Sequence, residues 1–204
     1  FNSYQLVAVS DIQNERMEET VRQYERNKEK YTSISPYKNY QDLLRDPRVD
    51  VVIIAVISGL HAEIAKQALL LDKHVIIEKP LALSLEEADE LITLSKASQK
   101  LILVCHQLRY HPLLRKIKSL IDKNYLGDLY LGSINIRINR NQTYYTSANW
   151  RGTWELDGGM LINQGIHLID LLTWYFGDIT SVYGEISTRN TSKATEDIAT
   201  GVVS

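Results

Sequence analysis

This sequence of 204 residues has a single cysteine, no surplus of either charge, no apolar run of membrane-spanning length and no glycine-rich phosphate loop. Cys105 has no partner for an intramolecular disulfide, which implies a reducing compartment or a core that needs no covalent staples. Against 25 Asp and Glu stand 23 Lys and Arg, a net charge of −2, so the clustered basic surplus of a nucleic-acid binder is missing. Disorder is equally excluded, because 44% of the residues are hydrophobic and the net charge is small. The longest strongly apolar run, residues 51–57, falls far short of the ~20 residues of a spanning helix, and Phe1-Asn2-Ser3-Tyr4 has neither the positive flank nor the core of a signal peptide. Internal repeats and low-complexity tracts are missing too. The expectation is a cytoplasmic globular chain of one large or two small domains, with ample length for a core.

The first half alternates between strand and helix patterns. Residues 4–11, 50–57, 74–77 and 101–105 are short runs of β-formers. Between them lie helical patterns at 14–30, 39–45, 60–71 and 84–98. Ser84, with Glu87 three residues on, has the form of a capping box. The run 50–57 does not alternate, which predicts burial on both faces of a parallel sheet joined by right-handed βαβ units. After Cys105 the pattern changes. Residues 111–123 predict an amphipathic helix, and 130–139 predict an antiparallel strand with Ile134, Ile136 and Ile138 on one face. A polar loop (140–154), a long helix (158–176) and two more strands follow.

Ligands of open parallel sheets bind beyond the carboxyl ends of the strands, and here every strand end is polar. Asp11 ends the first, Ser58-Gly59-Leu60-His61 follows the second, Glu78-Lys79-Pro80 the third and His106-Gln107-Leu108-Arg109 the fourth. A carboxylate at Asp11 is placed either to accept hydrogen bonds from a ribose diol or to cap the next helix. No Arg or Lys follows it immediately, which favours NAD over NADP. Lys79 is either a donor to a substrate oxygen with developing negative charge or half of a solvated Lys-Glu pair. On the 158–176 helix, Asn163, His167 and Asp170 fall on one face, so His167 is a candidate general base with Asp170 to orient it. Spacings for a metal site or a serine nucleophile are not present. Tyr144, Tyr145, Trp150 and Arg151 share a polar loop that either lines a sugar or nucleotide pocket or packs a domain junction.

In these segments, above all EKP at Glu78-Lys79-Pro80 and G-x-H-x-x-D at Gly165, His167 and Asp170, the chain resembles the Gfo/Idh/MocA oxidoreductases over essentially its whole length. The resemblance implies a Rossmann-like α/β domain (1–105) followed by an α+β substrate domain (106–204) with a mostly antiparallel open sheet. It implies that Lys79, His167 and Asn163 are catalytic, and that Arg109, Trp150 and Asn163 meet the substrate. Asp11, Ser58, Leu60, His61, Glu78, Lys79 and Arg151 would line the site of NAD, with NADP less favoured. Asn163 stands where many sugar and inositol dehydrogenases of the family carry Asp, which is similar to the branch acting on UDP-N-acetylamino sugars. A sugar or nucleotide-sugar substrate, a homo-oligomer, and no metal, nucleic acid or membrane partner are expected. Two alternatives stay open: a monosaccharide or inositol dehydrogenase, and a non-catalytic sensor of sugar or dinucleotide. G-x-G-x-x-G normally lies about 20 residues before the ribose-binding acid, and only ten residues precede Asp11. The first strand and its loop are therefore expected upstream of Phe1, and further strands beyond Ser204; the stretch alone is expected to bind NAD poorly and turn over little.

Overall fold

A computed structural model describes residues 4–26, 33–189 and 193–204, which fall into two compact units. The first comprises residues 1–54, 63–76 and 89–103. In it β1 (Ala8–Ser10) pairs in parallel with β2 (Ser35–Tyr37), Ala8 opposite Ser35. Helix α1 (Asn14–Arg26) buries Met17, and the rest of the helix expected to residue 30 lies outside the described residues. A short α2 (Tyr40–Arg45) ends at Asp46, whose carboxylate accepts from Arg48 and from the Tyr37 hydroxyl.

A second sheet has the order β3 (Val51–Ile54), β4 (His74–Glu78), β5 (Ile102–Cys105), with α3 (His61–Leu70) and α4 (Leu85–Ser98) as its crossovers. This is the expected α/β, Rossmann-like parallel arrangement. One expectation fails on β3. Val52 and Ile54 are buried, whereas Val51 and Ile53 are 47% and 70% exposed. An unbroken apolar run reports compatibility with two covered faces, but packing decides how many are covered, and here one is. The buried side gathers Val52, Ile54, Ile64, Ala65, Ala68, Leu69, Val75 and Leu91.

The second unit takes residues 55–62, 77–88 and 104–204. At the start of α4 the Ser84 cap forms: the Glu87 amide donates to Ser84 Oγ at 3.1 Å, while the Glu87 carboxylate reaches one residue past the cap and accepts from the Leu83 amide at 3.2 Å. Helix α5 (Pro112–Asp122) begins on proline, whose missing N–H costs nothing at that position. The Tyr175 hydroxyl of α7 (Ile166–Phe176) donates to the Leu114 carbonyl of α5. The strands β6 (Val182–Ser187) and β7 (Ile198–Val203) pair antiparallel, Val182 opposite Val203.

Residues 130–139 do not form the expected strand, and Ile134, Ile136 and Ile138 are 36%, 40% and 46% exposed. Alternation makes a strand only where a neighbour supplies the hydrogen-bond ladder, and among the described residues none pairs with this segment. The 140–154 loop contains a short helix, α6 (Gln142–Thr146), because the Asn141 side chain accepts from the Tyr144 amide. The long helix also departs from expectation. A π-turn, Leu161–Gly165, follows Gly159 and Met160, and unbroken α-geometry runs from Ile166.

Candidate active site

The site grows from the end of β4, all within the second unit. The Lys79–Pro80 peptide bond is cis. The His61 ring lies behind it, with Nδ1 2.7 Å from the Pro80 carbonyl and Nε2 3.1 Å from the Val56 carbonyl. At 1% exposure this ring cannot face a ligand. The expectation that His61 lines the cofactor groove is thus corrected: it ties two strand-end turns together, since both ring nitrogens point at backbone. Ser58 and Leu60 occupy the single 3₁₀ turn before α3, with Leu60 38% exposed. Gly59 donates to the Leu156 carbonyl at 3.1 Å and leaves no space for a side chain.

Lys79 reaches the π-turn. Its ammonium donates to the Asn163 carbonyl at 2.6 Å and lies 3.5 Å from Asn163 Oδ1. A π-turn displaces backbone carbonyls from the i→i+4 ladder, so one of them is free for a side-chain donor. Asn163 is further fixed by its neighbours: Nδ2 donates to Asp157 Oδ1, and Oδ1 accepts from Gln164. Asp157 is buried, and its other oxygen accepts the Gly152 amide at 2.8 Å. The turn's opening is held by Glu196, also buried, which accepts the Leu161 amide at 2.8 Å.

His167 follows one turn later. Its Nδ1 is buried and has no hydrogen-bond partner. Burial is the main cause holding its pKa below the ordinary imidazole value; the charges of Lys79 and His106 lower it further, against Glu78 and Asp170. Burial also lowers Lys79, against the raising influence of Glu78 and Asp157. His106 is lowered by burial, with Asp170 opposing.

Asp170 does not orient His167, contrary to expectation. Both of its oxygens are engaged by Arg109, Nε to Oδ2 at 2.9 Å and Nη2 to Oδ1 at 2.7 Å, and His106 Nδ1 lies 3.5 Å away. The guanidinium, 61 residues off in sequence, outcompetes a neutral ring for the carboxylate, because a bidentate ionic pair is the stronger bond. Arg109, expected at the substrate, therefore commits two of its N–H groups to α7 and lies 5.6 Å from the Trp174 ring centroid. Replacing Asp170 by Asn is expected to cost about 2 kcal/mol, less than a fully buried broken pair because the Arg109 side chain is 41% exposed. A thermal melt should show the midpoint about 4–8 °C lower.

Trp150 and Arg151 sit together beyond α6. The Arg151 guanidinium is 4.4 Å from the Trp150 ring centroid and 4.2 Å from that of Tyr144. Asp11, in the first unit, accepts the Gln13 amide at 2.8 Å, with Arg16 at 3.8 Å. One carboxylate oxygen thus serves the turn before α1. A cavity of about 1220 Å³ in the second unit is lined by Asp157, Asn163, Gln164, Tyr144, Arg140 and Lys193, among others. No group of three or more His, Cys, Asp or Glu among the described residues is arranged to hold a metal ion. No helix among them is long and apolar enough to cross a membrane.

The family model described as an oxidoreductase family with an NAD-binding Rossmann fold matches residues 1–106, and the model for the C-terminal domain of the same family matches residues 114–204. The chain belongs to the Gfo/Idh/MocA family. Among relatives of this family, an uncharacterized oxidoreductase of Synechocystis is 33% identical over 151 residues, 74% of this chain and 41% of its own. Myo-inositol 2-dehydrogenase of Thermotoga maritima is 25% identical over 173 residues, 85% of this chain and 48% of its own. Among solved structures, the WlbA dehydrogenase of Bordetella pertussis in complex with NADH and UDP-GlcNAcA is 29% identical, with a TM-score of 0.87 over 98% of this chain and 55% of that one. Its counterpart from Chromobacterium violaceum, with the same ligands, is 30% identical with a TM-score of 0.88 over the same shares. This family member spans about half the length of the relatives it matches.

Sequence reasoning gave no role to Asp157 or Glu196, and took His106 only as one of the polar groups at the fourth strand end. The strand-end rule pointed at His106, and the Asp-Gly-Gly start of the helix at Asp157. Glu196 had no local signal, since the amide it accepts lies 35 residues away.

Proposed function

We propose that the protein transfers hydride between NAD and a hydroxyl-bearing carbon of a nucleotide sugar. The observation that carries the reading is the contact of Lys79 with the π-turn, which sets a half-buried ammonium on the segment that leads into His167. A nicotinamide dinucleotide fits the chemistry of this donor set: an ammonium at a strand end of a Rossmann-like sheet, and on α7 an imidazole whose buried Nδ1 has no partner. When bound, it supplies the hydride chemistry. The chain's groups do the rest. His167 takes the proton from the substrate hydroxyl in the oxidative direction and returns it in reduction. Lys79 stabilises negative charge as it develops on that oxygen. Asn163, held by Asp157 and Gln164, orients the sugar. Asp11 would receive the ribose, and its charge supports NAD over NADP. Glu78, Ser58 and Leu60 would border the cofactor, and Trp150 the substrate.

A nucleotide sugar is supported by the ligand of the WlbA structures. The test gives the intact protein NAD and either UDP-GlcNAcA or myo-inositol and follows NADH absorbance. Reduction of NAD with the nucleotide sugar alone is the expected result. Turnover of inositol alone would replace the substrate class, and a ligand-bound protein silent with both would mark a sensor.

A further inference from the structure

Around the short helix α6 the cations outnumber their partners. Arg140 lies 4.4 Å from the centroid of the Tyr144 ring, and Arg151 lies 4.2 Å from the same centroid. Tyr145 meets Tyr144 edge to face at 5.1 Å, and the Lys193 ammonium stands 4.9 Å from the Tyr145 centroid. None of these three cations forms an ion pair with a carboxylate among the described residues. Among the described residues, Arg151 donates to Ser147 Oγ and Lys193 to the Glu196 carbonyl, both uncharged acceptors. Two guanidiniums on one ring can be no farther apart than the sum of their distances to it, so they repel each other. The aromatic faces offset part of that repulsion. An anion would offset the rest.

Arg140, Tyr144, Tyr145 and Lys193 line the same cavity as Asn163 and Asp157. Its carboxylates are engaged elsewhere in part: Asp157 accepts from Gly152 and Asn163, and Asp197 from the Arg189 amide, while Glu185 sits on β6. One cavity therefore carries the sugar-orienting amide and, elsewhere on its wall, Arg140 and Lys193, with Arg151 stacked on the Tyr144 ring that also lines it; none of the three has a counter-ion among the described residues. Guanidinium forks match phosphate oxygens two at a time, and separate forks suit a ligand with acceptor oxygens on two sides. We propose that Arg140, Arg151 and Lys193, arrayed on Tyr144 and Tyr145, bind the diphosphate of a nucleoside diphosphate sugar. The site explains how such a substrate is told from a free sugar: an uncharged ligand leaves the cations as they are. This assignment moves Arg151 from the cofactor to the substrate. It rests on the nucleotide-sugar reading for the identity of the ligand, and not on turnover.

The test is calorimetric titration of the intact protein with UDP, uridine and NADH in separate experiments. UDP should bind at least about tenfold more tightly than uridine. Arg140→Gln and Arg151→Gln should each weaken UDP about tenfold, the range for a hydrogen bond to a charged group, and leave NADH affinity unchanged. The Lys variants at both positions keep the charge but lose the fork, and should fall between; unchanged circular dichroism checks that each variant folds. Equal affinity for UDP and uridine would overturn the site. So would Gln variants that weaken NADH and spare UDP, since the diphosphate would then be the dinucleotide's. Arginine-dependent UDP binding without any NAD reduction upholds the site and removes only the dehydrogenase reading. Nucleotide-sugar turnover untouched in both Gln variants does the reverse.

Discussion

Replacing His167 by Gln is expected to lower kcat for sugar oxidation by about 10²–10⁴-fold, the usual worth of a positioned general base, with a much smaller change in KM. Glutamine keeps the size and a hydrogen-bonding end but cannot accept the proton. The pH profile carries the finer test. Oxidation needs the neutral imidazole, and burial followed by the charges of Lys79 and His106 lowers the His167 pKa. The ring then stays neutral to lower pH than a free histidine, so the acid limb of kcat should lie below the ordinary imidazole range. The charges of Glu78 and Asp170 pull the other way. Lys79→Met removes one lowering charge. It should cut kcat through loss of oxyanion stabilisation, by about 10²–10³-fold, and at the same time move the acid limb of the residual rate upward. A limb that stays in place in Lys79→Met, or full activity in His167→Gln, would remove these roles.

The second large effect is structural. Gly159 has a φ of +90°, and a Cβ there would fall 2.7 Å from Glu196 Oε1 and nearer still to Oε2. Alanine pays about 1–2 kcal/mol for the left-handed backbone. The Glu196 carboxylate is 3% exposed, so it cannot swing into solvent to make room, and it accepts the Leu161 amide that opens the π-turn. Losing that charge-assisted bond adds about 1.5–3 kcal/mol. Gly159→Ala should therefore destabilise the protein by about 3–5 kcal/mol and lower its melting midpoint by roughly 10 °C. The double variant with Glu196→Ala separates the causes. If the clash dominates, the second change should cost much less in the alanine background than in the parent; strict additivity would leave only the backbone cost. Because Lys79 contacts the same turn, activity should fall in Gly159→Ala even well below the melting range.

Legibility in the sequence tracks the range of the interaction. The strand–helix alternation, the Ser84–Glu87 cap and the proline start of α5 all depend on residues within one turn of each other, and each formed as expected. The strand-end rule also pointed to Lys79 and His106, because chain direction in a parallel sheet places those ends without knowledge of packing. Three misreadings share a cause. Val51 and Ile53 carried an apolar signal without saying whether their face would be covered, and residues 130–139 carried alternation without a partner. Asp170 lay at the right spacing for His167 but was engaged by Arg109, 61 positions away.

By itself the sequence determined the main strand–helix alternation of the first half, the family and the polar groups at the strand ends, since these follow from local periodicity and from short motifs. Only the tertiary structure decided which polar groups meet. It paired Lys79 with the Asn163 carbonyl across 84 residues, engaged Asp170 with Arg109, buried His61 between two carbonyls and set Arg140 and Arg151 on one ring with no carboxylate partner among the described residues. The reason is physical: a charge or a ring nitrogen is satisfied by whatever the folded chain brings within about 3 Å, and that neighbourhood is set by packing rather than by spacing along the chain.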